Sequence, residues 1–196
     1  SFIYYFSLGH LNQTVIFQNN NDKSQLLKIR KDINNRSVLV PGSGVDLSVY
    51  SVEKNNSKPP IVMFAARLLV SKGIKEFVSA SKRVKKINKN SRFVLVGDID
   101  PLNPDSIQQS EINQWQKEGD VEIWGYRGNM QNVIPKASII VLPSYGEGFP
   151  KVLIEAASCG RAVITTDSPG CRDAIEEGVT GMLVPVGDSG ALTEAI

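Results

Sequence analysis

A chain of 196 residues, 41% hydrophobic and 21% charged, has the length for one full domain or one domain plus part of a neighbour, and an ordinary globular composition. With 22 Lys and Arg against 20 Asp and Glu, the formal net charge of +2 argues against nucleic acid as a partner. Two cysteines, Cys159 and Cys171, without Cys-x-x-Cys or Cys/His ligand spacing, argue against a disulfide scaffold and a zinc site and fit reduced thiols in a cytoplasmic setting. No apolar run reaches the length of a membrane span and no signal segment opens the chain. The start at Ser1, straight into Phe2-Ile3-Tyr4-Tyr5-Phe6, reads as a cut rather than a natural terminus.

In chain order, Thr14–Phe17 and Val38–Val40 predict strands, and Asn19-Asn20-Asn21-Asp22 between them predicts a loop and a helix start. The turn-rich Pro41-Gly42-Ser43-Gly44 and Asn55-Asn56-Ser57-Lys58-Pro59-Pro60 place a boundary between Pro41 and Pro60, with residues 1–50 a remnant of another domain and its hinge. Ile61–Ala65 is a short continuous apolar run, as expected of a strand buried on both faces. Ile74–Ile87 carries Ile74, Phe77, Val78, Val84 and Ile87 at helical spacing; its Lys82–Arg83 and Lys85–Lys86 form a solvated face or a peripheral membrane contact. Phe93–Val96 predicts a strand, Ile107–Gln116 a polar helix, Val121–Trp124 a strand and Met130–Ile134 a helical turn. Ser138–Leu142 predicts a strand, and Pro150–Ser158 a helix with proline in its first turn and Gly160 past its end. Ala162–Thr165 and Met182–Val184 are the last strands, and Asp188 is placed to cap a final helix. Strands alternating with helices predict an α/β fold, a doubly wound, Rossmann-like parallel sheet over residues 51–196.

In such sheets ligands bind beyond the carboxyl ends of the strands. Arg67 and Lys72 follow the first main strand, where a guanidinium fork and an ammonium at a helix start suit phosphate; the bland alternative is two solvated charges. Pro143-Ser144-Tyr145-Gly146-Glu147-Gly148-Phe149-Pro150 follows Ser138–Leu142. Glycines on both sides of Glu147 allow strained dihedrals and close approach to a ligand, and the amides of Gly148 and Phe149 can donate to phosphate or sugar oxygens. Glu155 lies on the helix among Leu153, Ile154, Ala156 and Ala157, which leave little polar face; an ionised carboxylate there suits vicinal hydroxyls.

The run from Glu147-Gly148-Phe149-Pro150 to Leu153-Ile154-Glu155-Ala156 resembles the Glu-x(seven)-Glu motif of the large "group one" family of retaining glycosyltransferases of GT-B fold. Arg67-Leu68…Lys72-Gly73 resembles that family's phosphate-contacting pair, and Gly44-Val45-Asp46, Gly97-Asp98, Thr166–Gly170 and Gly178–Pro185 fall in family order. The resemblance covers Val38 to the end and implies the C-terminal half of a GT-B enzyme. It implies that Arg67 and Lys72 neutralise a leaving diphosphate, that Glu147 and the Gly148–Pro150 backbone meet the donor sugar, and that Glu155 binds ribose hydroxyls. Tyr126, within Gly125-Tyr126-Arg127, falls at the nucleotide base, and Leu153 among the donor contacts. The implied substrates are a nucleoside-diphosphate sugar, with UDP the favoured nucleotide, and a glycan or lipid-linked acceptor held by the partner domain, with no cofactor and no metal. The implied setting is capsule or lipopolysaccharide assembly at the inner face of the cytoplasmic membrane, and the chain alone is expected to bind donor weakly and turn over little. Ala66 stands where the family often has glycine, and Gly146 where capsule-type relatives often have arginine, which puts the donor sugar's identity in doubt.

Asp98-Ile99-Asp100 matches the Asp-x-Asp pattern by which another glycosyltransferase fold holds a metal, but here Arg and Lys handle phosphate charge. Gly42-Ser43-Gly44 lacks the third glycine of a dinucleotide fingerprint, and His10, the only histidine, leaves no partner for a Ser/His or Cys/His nucleophile. Two alternatives remain open. A nucleotide-sugar epimerase of the same architecture would need no acceptor, and a nucleotide-sugar-binding module would do no chemistry.

Overall fold

The computed structural model describes residues 2–10, 12–54 and 57–196; Ser1, at the expected cut, and Asn55 and Asn56, in the expected linker, lie outside the described residues. The first elements are α1 (Phe2–Ser7), β1 (Val15–Phe17), α2 (Asn20–Ile29), a 3₁₀ stretch Lys31–Arg36 and β2 (Ser37–Leu39). α2 starts where the Asn19 side chain accepts the Asp22 amide, which satisfies one of the free donors of the first turn. β1 and β2 pair in parallel, with Val15 opposite Ser37 and Phe17 opposite Leu39.

Beyond the linker come β3 (Ile61–Ala65), α3 (Ile74–Ile87), β4 (Arg92–Val96), α4 (Gln109–Glu118), β5 (Glu122–Gly125), β6 (Ile139–Leu142), α5 (Lys151–Ser158), β7 (Ala162–Thr166), β8 (Gly181–Val184) and α6 (Ser189–Ala195). The six strands form one parallel sheet in the order β5-β4-β3-β6-β7-β8. The chain therefore winds outward from β3 in one direction, then returns to β6 beside it and winds outward in the other. Right-handed crossovers in opposite directions put α3 and α5 on opposite faces, which is why β3 and β6 are apolar throughout rather than alternating. Phe64 of β3, Phe77 of α3 and Phe93 of β4 are fully buried, with neighbouring ring centroids 5.6 and 5.7 Å apart. Burying each such side chain is worth about 1.5–3 kcal/mol.

Three boundaries differ from the predicted ones for identifiable reasons. α4 starts two residues later than expected because Gln108 and Glu111 form a capping box, and it ends at Gly119. Pro150 is the residue capping α5 rather than a member of its first turn. The turn expected over Met130–Ile134 is two short 3₁₀ turns, Met130–Asn132 and Ile134–Lys136. Asp188 caps α6 as expected, accepting the amides of Gly190 and Ala191 at 2.9 Å each.

Arg161, at the start of β7, is 6% exposed, and its guanidinium donates to the carbonyls of Cys159 (2.9 Å), Ala137 (3.4 Å) and Glu53. It thereby ties the segment before β3 to the sheet. Cys159 is buried, and that burial raises its thiol pKa.

The basic face of α3 is partly spoken for. Lys82 pairs with Glu118 (2.8 Å) and Asp120 (3.1 Å), and Lys85 donates to the Gly119 carbonyl at 2.6 Å. The hydrogen bond from Lys82 is the main reason the Glu118 carboxyl falls from 4.5 to about 2, and its bond to Glu118 is the main reason Lys82 lies above 10.5. A depressed carboxylate stabilises the fold above its unfolded pKa and loses that effect as pH falls through the folded one. Lys82→Ala is therefore expected to lower stability modestly at neutral pH and much less at pH 2, where Glu118 is about half protonated in the fold, with a smaller effect in molar salt. Urea denaturation at the two pH values checks this; an equal loss at both would assign the effect to packing instead.

Candidate active site

β3 and β6 are neighbours, with Val62 opposite Ile139, yet the chain leaves them in opposite directions. A crevice must open between the loops that follow them, and ligands of doubly wound sheets bind at that point. The loop after β3 delivers Arg67, and the 3₁₀ turn Val70–Lys72 delivers Lys72 just before α3. The loop after β6 delivers Tyr145–Phe149, and α5 delivers Glu155.

A cleft of about 450 Å³ lies at this edge, walled by Arg67, Gly97, Asp98, Tyr126, Arg127 and Glu155, with Ile99, Pro101, Met130 and Val152 supplying apolar surface. Polar groups on one side and apolar surface on the other suit a ligand with a flat ring and charged or hydroxylated substituents. Glu155 is 7% exposed although it carries a charge-bearing group. Its partners are the Lys151 ammonium, at 3.6 Å, and the Tyr50 hydroxyl, which burial and then the Glu155 charge push up to about 12. The Tyr50 hydroxyl is thus a hydrogen-bond donor to the Glu155 carboxylate.

Arg67 Nη1 lies 3.0 Å from Asp100 Oδ2, and Asp98 Oδ1 accepts the Tyr126 amide at 3.1 Å. The two carboxylates of the Asp-x-Asp pattern thus orient an arginine and a loop of the cleft. Lys72 Nζ lies 2.6 Å from both carboxylate oxygens of Glu147, and both side chains are more than four-fifths buried. Behind Lys72, Asp105 accepts from the Ser71 hydroxyl and amide, and these two bonds, hydroxyl first, hold its pKa below the usual carboxylate value.

Of the nine residues singled out in the sequence, all but Leu153 gather at this edge, though not in one cleft. Arg67, Tyr126 and Glu155 wall the 450 Å³ cleft, whereas Glu147 and Gly148 line a separate polar hollow of about 410 Å³ with Asn21, Asp22, Tyr145, Gly146 and Pro169. Phe149 turns its ring against Gly42, and Pro150 is buried at the start of α5. Leu153 corrects the expectation of a donor contact: it has no exposed surface and packs in the core. It sits two residues from Glu155, about 200° around the helix, so the two cannot share a face. The strained dihedrals expected beside Glu147 are also absent, since neither Gly146 nor Gly148 has positive φ. Gly148 instead makes room for Gln18, whose Oε1 would lie 2.2 Å from an added Cβ. The strain sits at Gly170, φ +76°, where an added Cβ would lie 2.2 Å from the Glu147 carbonyl.

Residues that the sequence did not assign to the site also take part: Tyr50 beside Glu155, Asp100 beside Arg67, and Asn19, which reaches the Glu147 loop from the start of α2. Asn19 left a signal only as a helix cap and Asp100 only as half of the Asp-x-Asp pattern; Tyr50 left none, since its role depends on a contact between distant segments.

A six-stranded parallel sheet in this order, with its cleft at the carboxyl ends of β3, β4 and β5 beside the point where winding reverses, defines a doubly wound, Rossmann-like domain. The sequence profile described as "Glycosyl transferases group 1" matches residues 59–196, and the chain belongs to that family. The N,N'-diacetylbacillosaminyl-diphospho-undecaprenol alpha-1,3-N-acetylgalactosaminyltransferase of Campylobacter jejuni is 36% identical over 142 residues, 72% of this chain and 36% of that protein. The capsular polysaccharide biosynthesis glycosyltransferase CapM of Staphylococcus aureus is 27% identical over 69% of this chain and 35% of its own length. Among solved structures, Anabaena HepE in complex with UDP-glucose superposes with a TM-score of 0.77 at 20% identity, over 93% of this chain and 52% of that one. A glycosyltransferase from Rickettsia africae gives 0.79 at 20% identity, over 98% and 55%. The chain thus spans between about a third and about half of the proteins it matches. Among the described residues no helix is long and apolar enough to cross a membrane.

Proposed function

We propose that the chain is the donor-binding half of a retaining glycosyltransferase, which moves a sugar from a UDP-sugar to a glycan or lipid-linked acceptor in surface polysaccharide assembly at the cytoplasmic face of the membrane. The observation that carries this reading is the placement of Arg67 and Lys72 at the reversal point between β3 and β6, beside a cleft with a buried, oriented carboxylate. The base lies against Tyr126 and Arg127, Glu155 accepts from the ribose hydroxyls, and the diphosphate takes the two cations in exchange for Asp100 and Glu147. Freed from Lys72, Glu147 turns to the sugar hydroxyls. The bond from the anomeric carbon to the diphosphate oxygen breaks, the fixed cations hold the charge that develops, and the acceptor hydroxyl oxygen bonds to the same face of the sugar as its proton passes to the departing diphosphate oxygen. No metal is needed where two cations carry that charge. The C. jejuni relative, a transferase acting on a diphospho-undecaprenol-linked sugar, supports a lipid-linked acceptor; the S. aureus capsular polysaccharide enzyme supports the polysaccharide setting, and the UDP-glucose complex of HepE the choice of donor.

Calorimetric titration with UDP, GDP and ADP, with and without magnesium, tests the reading. UDP is expected to bind equally well with and without the metal, and Arg67→Ala is expected to weaken it roughly tenfold or more through loss of a charge-assisted contact. Binding that requires magnesium, or that ignores Arg67, would overturn the assignment of the phosphate site.

A further inference from the structure

Asn19 is 2% exposed and lies far in sequence from the loop after β6, yet its amide touches that loop directly. Its Nδ2 donates to the Gly148 carbonyl at 2.8 Å and lies 3.3 Å from the Glu147 carbonyl, also reaching Asp22 Oδ2 at 2.9 Å. Its Oδ1 accepts the Asp22 amide at 2.8 Å and so caps α2. One side chain therefore uses its oxygen for the helix and its nitrogen for both the loop and the Asp22 carboxylate. The loop is held from the other side as well: the Glu147 amide donates to the Pro169 carbonyl at 3.0 Å, and the absence of a side chain at Gly170 leaves room for the Glu147 carbonyl. Gln18, next to Asn19, fills the space that the missing Gly148 side chain leaves.

We infer that Asn19 is a positioning residue for the Glu147–Gly148 loop: by fixing the two carbonyls it sets the direction of the Glu147 carboxylate and of the amides that follow. The segment before β3 then controls the sugar end of the site through a single side chain. The consequence for donor affinity rests on the function proposed above; the geometric claim does not. Capping alone would be served equally by aspartate, which has the acceptor oxygens and is as good a cap. Asn19→Asp thus keeps the capping oxygen, removes the donor and sets a negative charge against two carbonyl oxygens and the Asp22 carboxylate, whereas Asn19→Ser keeps a cap and removes the donor without adding charge.

The test is backbone hydrogen exchange across residues 145–149 and across α2, in this chain and in Asn19→Asp, Asn19→Ala and Asn19→Ser. Exchange in the loop is expected to quicken by about tenfold in Asn19→Asp and in Asn19→Ser, while α2 beyond its first turn keeps its protection; only that first turn also loses a bond, the one to Asp22. Unchanged loop exchange in Asn19→Asp would overturn the proposal, as would loop exchange that rises only together with α2. Asn19→Ser, which keeps a cap with a shorter reach, is expected to behave as Asn19→Asp in the loop. Titrations with UDP and UDP-glucose then separate the two readings. If the unaltered chain binds neither, the functional reading fails and the exchange result still decides the role of Asn19. If it binds both, Asn19→Asp is expected to weaken UDP-glucose several-fold more than UDP, and equal weakening would remove Asn19 from the sugar end.

Discussion

Glu155→Ala is expected to raise the dissociation constant for UDP about 100-fold while leaving the fold's stability within about 1 kcal/mol. Two hydrogen bonds to one ionised carboxylate, allowing for partial replacement by water, correspond to about 3 kcal/mol, or two powers of ten in affinity. The fold has little to lose from the change. Glu155 is 7% exposed, and its contacts are a distant Lys151 and the Tyr50 hydroxyl, so the chain now carries the cost of burying a charge that Ala would not. Glu155→Gln, which keeps shape and one acceptor, should fall between the two. Paired calorimetric titrations and urea unfolding curves check this; loss of binding and of stability in equal proportion would make Glu155 a structural residue.

The second large effect is structural and bears on the same cleft. Gly97 ends β4 with φ +139°, and a Cβ there would lie 1.9 Å from the Ala66 carbonyl oxygen. Gly119, the cap of α4, also has positive φ (+74°) but faces nothing within 4 Å. Gly119→Ala is expected to cost about 1 kcal/mol, the conformational penalty alone. Gly97→Ala should cost about 3 kcal/mol or more, because backbone oxygen has to move as well. The displaced backbone is Ala66, next to Arg67, so UDP affinity should drop along with stability. Urea unfolding of the two variants decides the matter; equal losses would show that the close approach of β3 and β4 carries no energy.

What could be read from the sequence followed from local rules. α3 matched its predicted span of Ile74–Ile87 because its apolar stripe keeps one period from end to end. β3 and β6 were legible because a strand covered on both faces must be apolar at every position. The position of Arg67, Lys72 and the Glu147 loop at one edge followed from parallel winding, which sends every strand's carboxyl end the same way. Side-chain direction did not follow. Leu153 and Glu155 belong to one motif, yet helix geometry sends one into the core and the other to the cleft. The pairing of Lys72 with Glu147 and of Arg67 with Asp100 is likewise a product of tertiary distance, across 75 and 33 positions of chain. Asn19 looked only like a helix cap, since nothing near it in sequence records the loop that it meets.

The staple made by Arg161 has a mechanical consequence. By holding the Glu53 carbonyl it makes the stretch before β3 ride with the sheet, and Tyr50, docked on Glu155, and Val52, against Gly160, extend that docked length upstream. Glycine-containing Pro41–Val49, largely exposed, is the length of chain left to bend. Any swing of the amino-terminal segment must therefore turn about an axis upstream of Tyr50, so the lever arm begins beside the cleft itself. A small rotation there moves Asn19 relative to the Glu147 loop before it disturbs the sheet.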